Sequence, residues 1–188
     1  MIELGYYVNA FSNLHTAKMK GHKAPHKAVL LLVIIDLVED GMIATPRIVL
    51  SDELIDRFNQ VWHHYLGISA IFSPDITKPF FHMQHERFWR FVEFGESDLS
   101  MAAEDSPYVE GRKQTKELPI GSYSIKAMRN AFKFAEIDDQ LFQILQNADA
   151  RVMLRVILIN EYLTNQPTKT MPNITQLIMA LPFIALVA

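Results

Sequence analysis

Between His15 and Lys27 the chain carries Lys18, Lys20, Lys23 and Lys27 with His15, His22 and His26, and no acidic residue. Cations at that density suit a phosphate backbone, which proteins grip with lysines, arginines and backbone N–H groups. Pro25 suits the first turn of a helix, where its missing N–H costs nothing. A helix N-terminus, with its partial positive charge, is therefore expected beside the strip. A solvated lysine-rich loop has the same composition, and that alternative stays open. A second basic run, Arg112-Lys113-Gln114-Thr115-Lys116, lies between Glu110 and Glu117. It reads either as an arm that reaches a phosphate backbone or as a solvated loop. Arg87 and Arg90 suit the same task, although Arg90 equally suits covering an apolar sheet face.

Other chemistries leave little trace. There is no G-x-x-x-x-G-K-[ST], G-x-G-x-x-G, G-x-S-x-G or H-E-x-x-H, so neither a nucleotide cofactor nor a zinc-protease site is expected. Zero cysteines remove disulfide scaffolds, thiolate zinc sites, iron–sulfur clusters and thiol nucleophiles. The seven histidines include the close pairs His22/His26, His63/His64 and His82/His85. His63 and His64 project about 100° apart on a helix. His82 and His85 are expected to straddle a turn from which their side chains diverge. No carboxylate clusters with any of the three pairs, so no metal site is expected. A small hydrolase that uses His82 with Glu86 or Asp75 as acid and base is the enzyme alternative, and it needs a pocket.

These residues must be positioned by a chain of 188 residues that is 49% hydrophobic and 21% charged, with net charge −3. That composition excludes disorder and long coiled coils and suits one compact domain. Apolar spacing predicts a helix over 2–19, a turn at Lys20 to Lys23, and a buried central helix from Pro25 to Glu39, closed by Gly41. Arg47 to Leu50 is a candidate strand. Ser51 or Asp52 should cap a helix that Gly67 stops. The aromatic runs Pro79 to Met83 and Phe88 to Phe94 read as a β-hairpin. Residues 95–122 are polar. Helices are expected at 124–136, 138–146 and 149–163. The expected fold is helix-rich α+β, with helices around a buried central helix and one hairpin, close to the winged-helix plan. A single domain spans 1–163, followed by a linker and apolar segment over 164–188. The apolar run from Ile174 is interrupted by Pro182 and falls short of the roughly 20 residues a membrane span needs. The start carries no signal-peptide pattern, and a cytoplasmic location is expected.

The stretch Lys23-Ala24-Pro25-His26-Lys27-Ala28-Val29-Leu30-Leu31-Leu32, leading into Asp36-Leu37-Val38-Glu39-Asp40-Gly41, resembles the N-terminal module of bacterial HNH restriction endonucleases, where an H-K-P-x-L-L-L run is typical. Pro79-Phe80-Phe81-His82-Met83 before Phe88-Trp89 is similar to that family's P-F-F-H-L stretch before a tryptophan. Together these signatures cover about residues 20 to 95. The module resembles the sulfur-binding domain of McrA-like, phosphorothioate-dependent restriction enzymes. The resemblance implies recognition of double-stranded DNA in which sulfur replaces one non-bridging phosphate oxygen. It further implies a shallow apolar pocket, which Pro25 and Ala28 fit by spacing, with His26, Lys27 and His82 near the phosphate. The chain departs from the pattern at Ala28, where many relatives carry a second proline.

Physical chemistry supports such a preference. Sulfur is larger and more polarizable than oxygen and a poorer hydrogen-bond acceptor, so water loses less when it is buried. Burying about 40 Å² gains on the order of 1 kcal/mol, roughly a fivefold preference. Lys18, Lys20, His22, Lys23, Arg87, Arg112 and Lys113 would hold the DNA backbone. An HNH site needs histidines that this chain lacks after residue 85. The expectation is a targeting module served by an HNH nuclease domain or subunit, without a cofactor or metal of its own. A winged-helix DNA binder without sulfur selectivity is the second reading.

Overall fold

The computed structural model describes residues 4–67, 71–94, 124–164 and 166. Arg112 and Lys113, the polar stretch 95–122 and the apolar run from Ile174 lie outside them.

Helix α1 (Leu4–Ser12) buries Tyr7 and Phe11. It ends earlier than the apolar spacing predicts. Ser12 Oγ donates back to the Val8 carbonyl, and Asn13 Nδ2 to the Asn9 carbonyl, both at 2.9 Å. Such side chains compete with helix continuation. The Leu14 N–H then donates to Tyr162 Oη at 2.8 Å, and the chain turns into strand β1 (Lys18–Met19). Strand β2 (His22–Lys23) pairs antiparallel with β1, Lys18 opposite Lys23. The two connecting residues, Lys20 and Gly21, both have positive φ, 51° and 83°. Two left-handed residues in a row match the right-handed twist of a tight hairpin.

Helix α2 (His26–Glu39) buries eleven residues, from Lys27 to Val38 with only Asp36 excepted. A helix apolar on all sides belongs at the centre of the molecule. Strand β3 (Arg47–Ile48) follows, then helix α3 (Asp52–Leu66). Ser51 Oγ accepts the Leu54 N–H at 3.2 Å to cap α3, and Gly67 ends it at φ 53°.

The expected hairpin over 80–94 does not form. Asp75 Oδ1 accepts both the Thr77 N–H at 3.0 Å and the Thr77 hydroxyl at 2.6 Å. That turn launches helix α4 (Thr77–His82), with Pro79 in its first turn, where a helix tolerates proline. A 3-10 turn (Met83–His85) continues it, and only then does strand β4 (Trp89–Glu93) begin.

Strand β4 finds its partner far along the chain. Helix α5 (Ile125–Ala131), capped by Ser124, gives way to strand β5 (Phe132–Ile137) inside the span expected to be helical. Ala135 and Ile137 are buried while Glu136 between them is partly exposed, the alternation of a half-buried strand. The Phe91 and Phe132 rings stack at 4.0 Å across the pair. Helix α6 (Asp139–Leu145), helix α7 (Ala148–Leu158) and a π-helical turn (Ile159–Leu163) complete the described chain.

The fold is helix-rich α+β, with the β1–β2 hairpin and an antiparallel three-stranded sheet in the order β3-β5-β4. From α2 onward the order runs helix, strand, helix, helix, strand, helix, strand, with the last strand in the middle of the sheet. The winged-helix plan expects β4 and its partner to be joined as a hairpin within 80–94; here β4 instead pairs with β5, and α5 lies between the two strands. No helix among the described residues is long and apolar enough to cross a membrane.

Candidate functional site

The residues expected to form an apolar floor lie inside the protein. Ala28 has no exposed surface, and Pro25 is buried at the head of α2, its carbonyl accepting the Val29 N–H at 2.9 Å. Three-residue spacing gives two side chains a common helix face without deciding whether that face meets solvent. Here α2 is enclosed, so Pro25 and Ala28 do not line a surface pocket.

Lys27 is also not part of an open rim. It is 5% exposed, and its Nζ lies 2.5 Å from Glu86 Oε1 on a carboxylate that is equally buried. Glu86 additionally accepts the His15 N–H at 3.0 Å, with His15 Nδ1 3.2 Å from its other oxygen. One carboxylate thus ties the loop after α1, the first turn of α2 and the end of the 3-10 turn. His26 packs its ring 4.6 Å from Trp62 and 5.7 Å from Phe72, and its Nε2–H donates to the Ser73 carbonyl at 2.9 Å. Burial lowers its pKa more than the Ser73 carbonyl and Asp75 raise it. The neutral ring holds the 71–75 segment against α3.

His82 closes α4 and is half-buried. The tight turn that follows brings His85, three residues on, almost into register, as 3-10 geometry does. The two rings stack 5.8 Å apart with planes 18° from parallel, so they converge where divergence was expected. Burial lowers the His82 pKa, and His85, Lys27 and Lys78 lower it further. The electrostatic surroundings of this imidazole are cationic from three elements. Phe81 lies beside it, its ring nearly perpendicular to His82 at 5.4 Å. Lys78 is mostly exposed, 3.5 Å from Asp75. The sequence marks His85 only as half of a pair whose side chains should diverge, and it does not mark Lys78; the turn at 75–78 is the signal that points to that lysine.

The remaining basic residues divide by what holds them. Lys18, Lys20 and Arg87 are exposed and make no ion pair among the described residues. Lys23 is 3.3 Å from Glu161 and sits over the Tyr162 ring at 4.9 Å. With half-buried His22 it borders an open groove of about 370 Å³ reaching Tyr162 and Gln166. Arg90 pairs with Glu136 on the outer sheet face. Among the described residues no three His, Asp or Glu side chains are grouped to hold a metal. The two carboxylates considered as catalytic partners of His82 are engaged, Glu86 by Lys27 and His15, Asp75 by Thr77 and Lys78. The arrangement suits holding an anion better than moving a proton to a substrate.

No protein-family model matches this chain, and no curated protein matches it.

Proposed function

We propose that this chain recognises double-stranded DNA through its phosphate backbone and favours a backbone in which sulfur replaces a non-bridging oxygen. The observation that carries the reading is the meeting of the two signatures in space. Lys27 of the first and His82 of the second, with Lys78 just ahead of it, are close enough for both lysines to act on the His82 ring, although 55 residues separate Lys27 from His82. A phosphate oxygen or sulfur beside His82 would meet exposed Lys78 and His85, next to the Phe81 ring that packs on His82. An apolar wall beside a cationic rim suits sulfur, which is less hydrated than oxygen. Lys18, Lys20 and Arg87 add exposed charge for neighbouring phosphates. Cutting falls to an HNH nuclease domain or subunit, and a cysteine-free chain suits the reducing cytoplasm where such systems act.

Titration of matched duplexes, with and without one phosphorothioate, at a single fixed salt concentration tests the reading. Wild type should prefer the sulfur form about fivefold, His82→Ala should weaken both forms, and Phe81→Ala should reduce the ratio. Equal binding of both duplexes by wild type sinks the sulfur preference. It leaves an unselective winged-helix DNA binder, which the β3-β5-β4 strand order favours. Failure to bind either duplex overturns both.

A further inference from the structure

We propose that Glu161 withholds Lys23 from the phosphate backbone, so that the chain binds DNA with less than the affinity its basic hairpin could supply. The inference rests on the DNA reading above and adds a regulation to that surface. Its basis is a contact between segments 138 residues apart. The carboxylate of Glu161, in the π-helical turn, lies 3.3 Å from Lys23 Nζ, which also sits over the Tyr162 ring at 4.9 Å. Lys18 stands directly opposite Lys23 on the β1–β2 hairpin, and directly opposed residues of paired strands project to the same face. Two like charges so placed repel, and an anion set against them relieves the repulsion. Glu161 supplies that anion from within the chain, at the lysine a phosphate would otherwise engage. Lys18 is exposed, without an ion pair among the described residues, and keeps its charge for DNA.

The hairpin backbone is held separately from this side chain. Gln166 Nε2 donates to the Lys23 carbonyl at 2.8 Å and to the Tyr162 carbonyl at 2.6 Å. Ahead of the hairpin, the Leu14 N–H donates to Tyr162 Oη at 2.8 Å. Losing the Glu161 carboxylate therefore frees the Lys23 ammonium without releasing the strand. Lys23 borders an open groove of about 370 Å³, so a backbone phosphate has room to reach it. Both partners of the pair are exposed, and an exposed ion pair is weak because water and salt screen it. The restraint is accordingly small, and its removal is worth about two- to fivefold in affinity.

Titration of an unmodified duplex into the full chain at several salt concentrations tests the contact. Glu161→Gln keeps size and polarity and removes the charge. It should tighten binding about two- to fivefold and steepen the log–log salt slope by about 0.9, as one further cation meets a phosphate. Lys23→Gln alone should weaken binding by less than about twofold. In the Lys23→Gln background, Glu161→Gln should bring no gain, because the lysine it releases is missing. That comparison separates release of Lys23 from the mere loss of a negative charge near the interface, which tightens binding in either background. Equal gains in both backgrounds, or no gain from either Glu161→Gln or Glu161→Ala, overturn the proposal and leave the DNA reading standing. A severalfold loss and a full slope change from Lys23→Gln alone also overturn it, since Glu161 then withholds nothing. Absence of duplex binding by wild type and every variant overturns the two together.

Discussion

Glu86 neutralises Lys27 in a place where neither side chain reaches water, and it also fixes the backbone of His15. Removing one partner of a buried pair leaves the other charge uncompensated, at a cost of about 3–5 kcal/mol, whereas replacing both with apolar groups is often neutral. Glu86→Gln should therefore lower stability by about that amount, and Lys27→Met with Glu86→Leu should recover most of it. Urea unfolding of the two variants checks the pair; equal losses would mean that packing, rather than charge, sets the cost. Burial likewise alters what substitutions at the expected sulfur floor would do. Ala28→Glu would force a carboxylate into α2, where residue 28 has no exposed surface. It should abolish the cooperative thermal transition, losing DNA binding only as a consequence. Pro25→Ala should leave any preference for sulfur over oxygen unchanged, because the ring it removes is buried. A ratio that falls in a fully folded Pro25→Ala would put that ring back in the site.

Helices α2 and α7 are joined by polar groups rather than by the core alone. Arg155 donates to Asp36 Oδ1 at 2.8 Å and to Glu39, while Arg151 reaches Glu39 Oε1 at 3.1 Å. Arg151 also donates to the Leu145 carbonyl at 2.9 Å and the Gln146 carbonyl at 3.1 Å, closing the C-terminus of α6. Arg151→Ala exposes or orphans all these acceptors at once and should cost about 2–3 kcal/mol. An effect within a few tenths of a kcal/mol in urea unfolding would dismiss the network as decoration. The π-helical turn adds an alkaline signature. Burial pushes the Tyr162 hydroxyl up to about 12, against an ordinary value near 10, even though the Leu14 N–H lowers it. Tyr162 thus contributes stability that is complete below pH 10 and is lost between about pH 10 and 12. Tyr162→Phe should be less stable at pH 8 yet lose less between pH 9 and 11, as thermal unfolding across that range would show. How legible each element was in the sequence follows local chemistry. Ser51 and Gly67 marked α3 because caps act over three residues. The run Pro79 to Met83 looked like a strand because its aromatics are contiguous, yet the Asp75–Thr77 turn started a helix. Phe132 to Ile137 became a strand through partners some 45 residues away, which no local pattern encodes. The same limit applies to the site. The basic strip and His82 were legible as residue types, whereas burial of Ala28 and the Lys27–Glu86 pair arise only from packing.

At the scale of the whole molecule, a net charge of −3 makes polyanion binding depend on where the cations stand and on which are already neutralised. Buried or paired cations release no counterions when DNA arrives. Lys27 is matched by Glu86, Arg155 by Asp36 and Glu39, and Lys23 by Glu161. Lys18 and Lys20 on the β1–β2 hairpin, and Arg87 before β4, are exposed without such matches among the described residues. Their loss should therefore alter the salt dependence of binding, with Lys23 contributing less. Each phosphate that the protein no longer neutralises should make the log–log salt slope shallower by about 0.9 for duplex DNA. Lys18→Gln and Arg87→Gln remove charge with little change in shape. At position 20 the backbone has φ 51°, which asparagine tolerates better than most residues, so Lys20→Asn removes the charge while keeping the turn. The triple variant should bind unmodified duplex more weakly at every salt concentration, with a slope shallower by about two to three. The thermal midpoint should be unchanged, because none of the three side chains is buried. An unchanged slope in the folded triple variant would move the DNA interface away from the hairpin and Arg87. A full effect from Lys23→Gln alone would mean that the Glu161 pair opens when DNA binds.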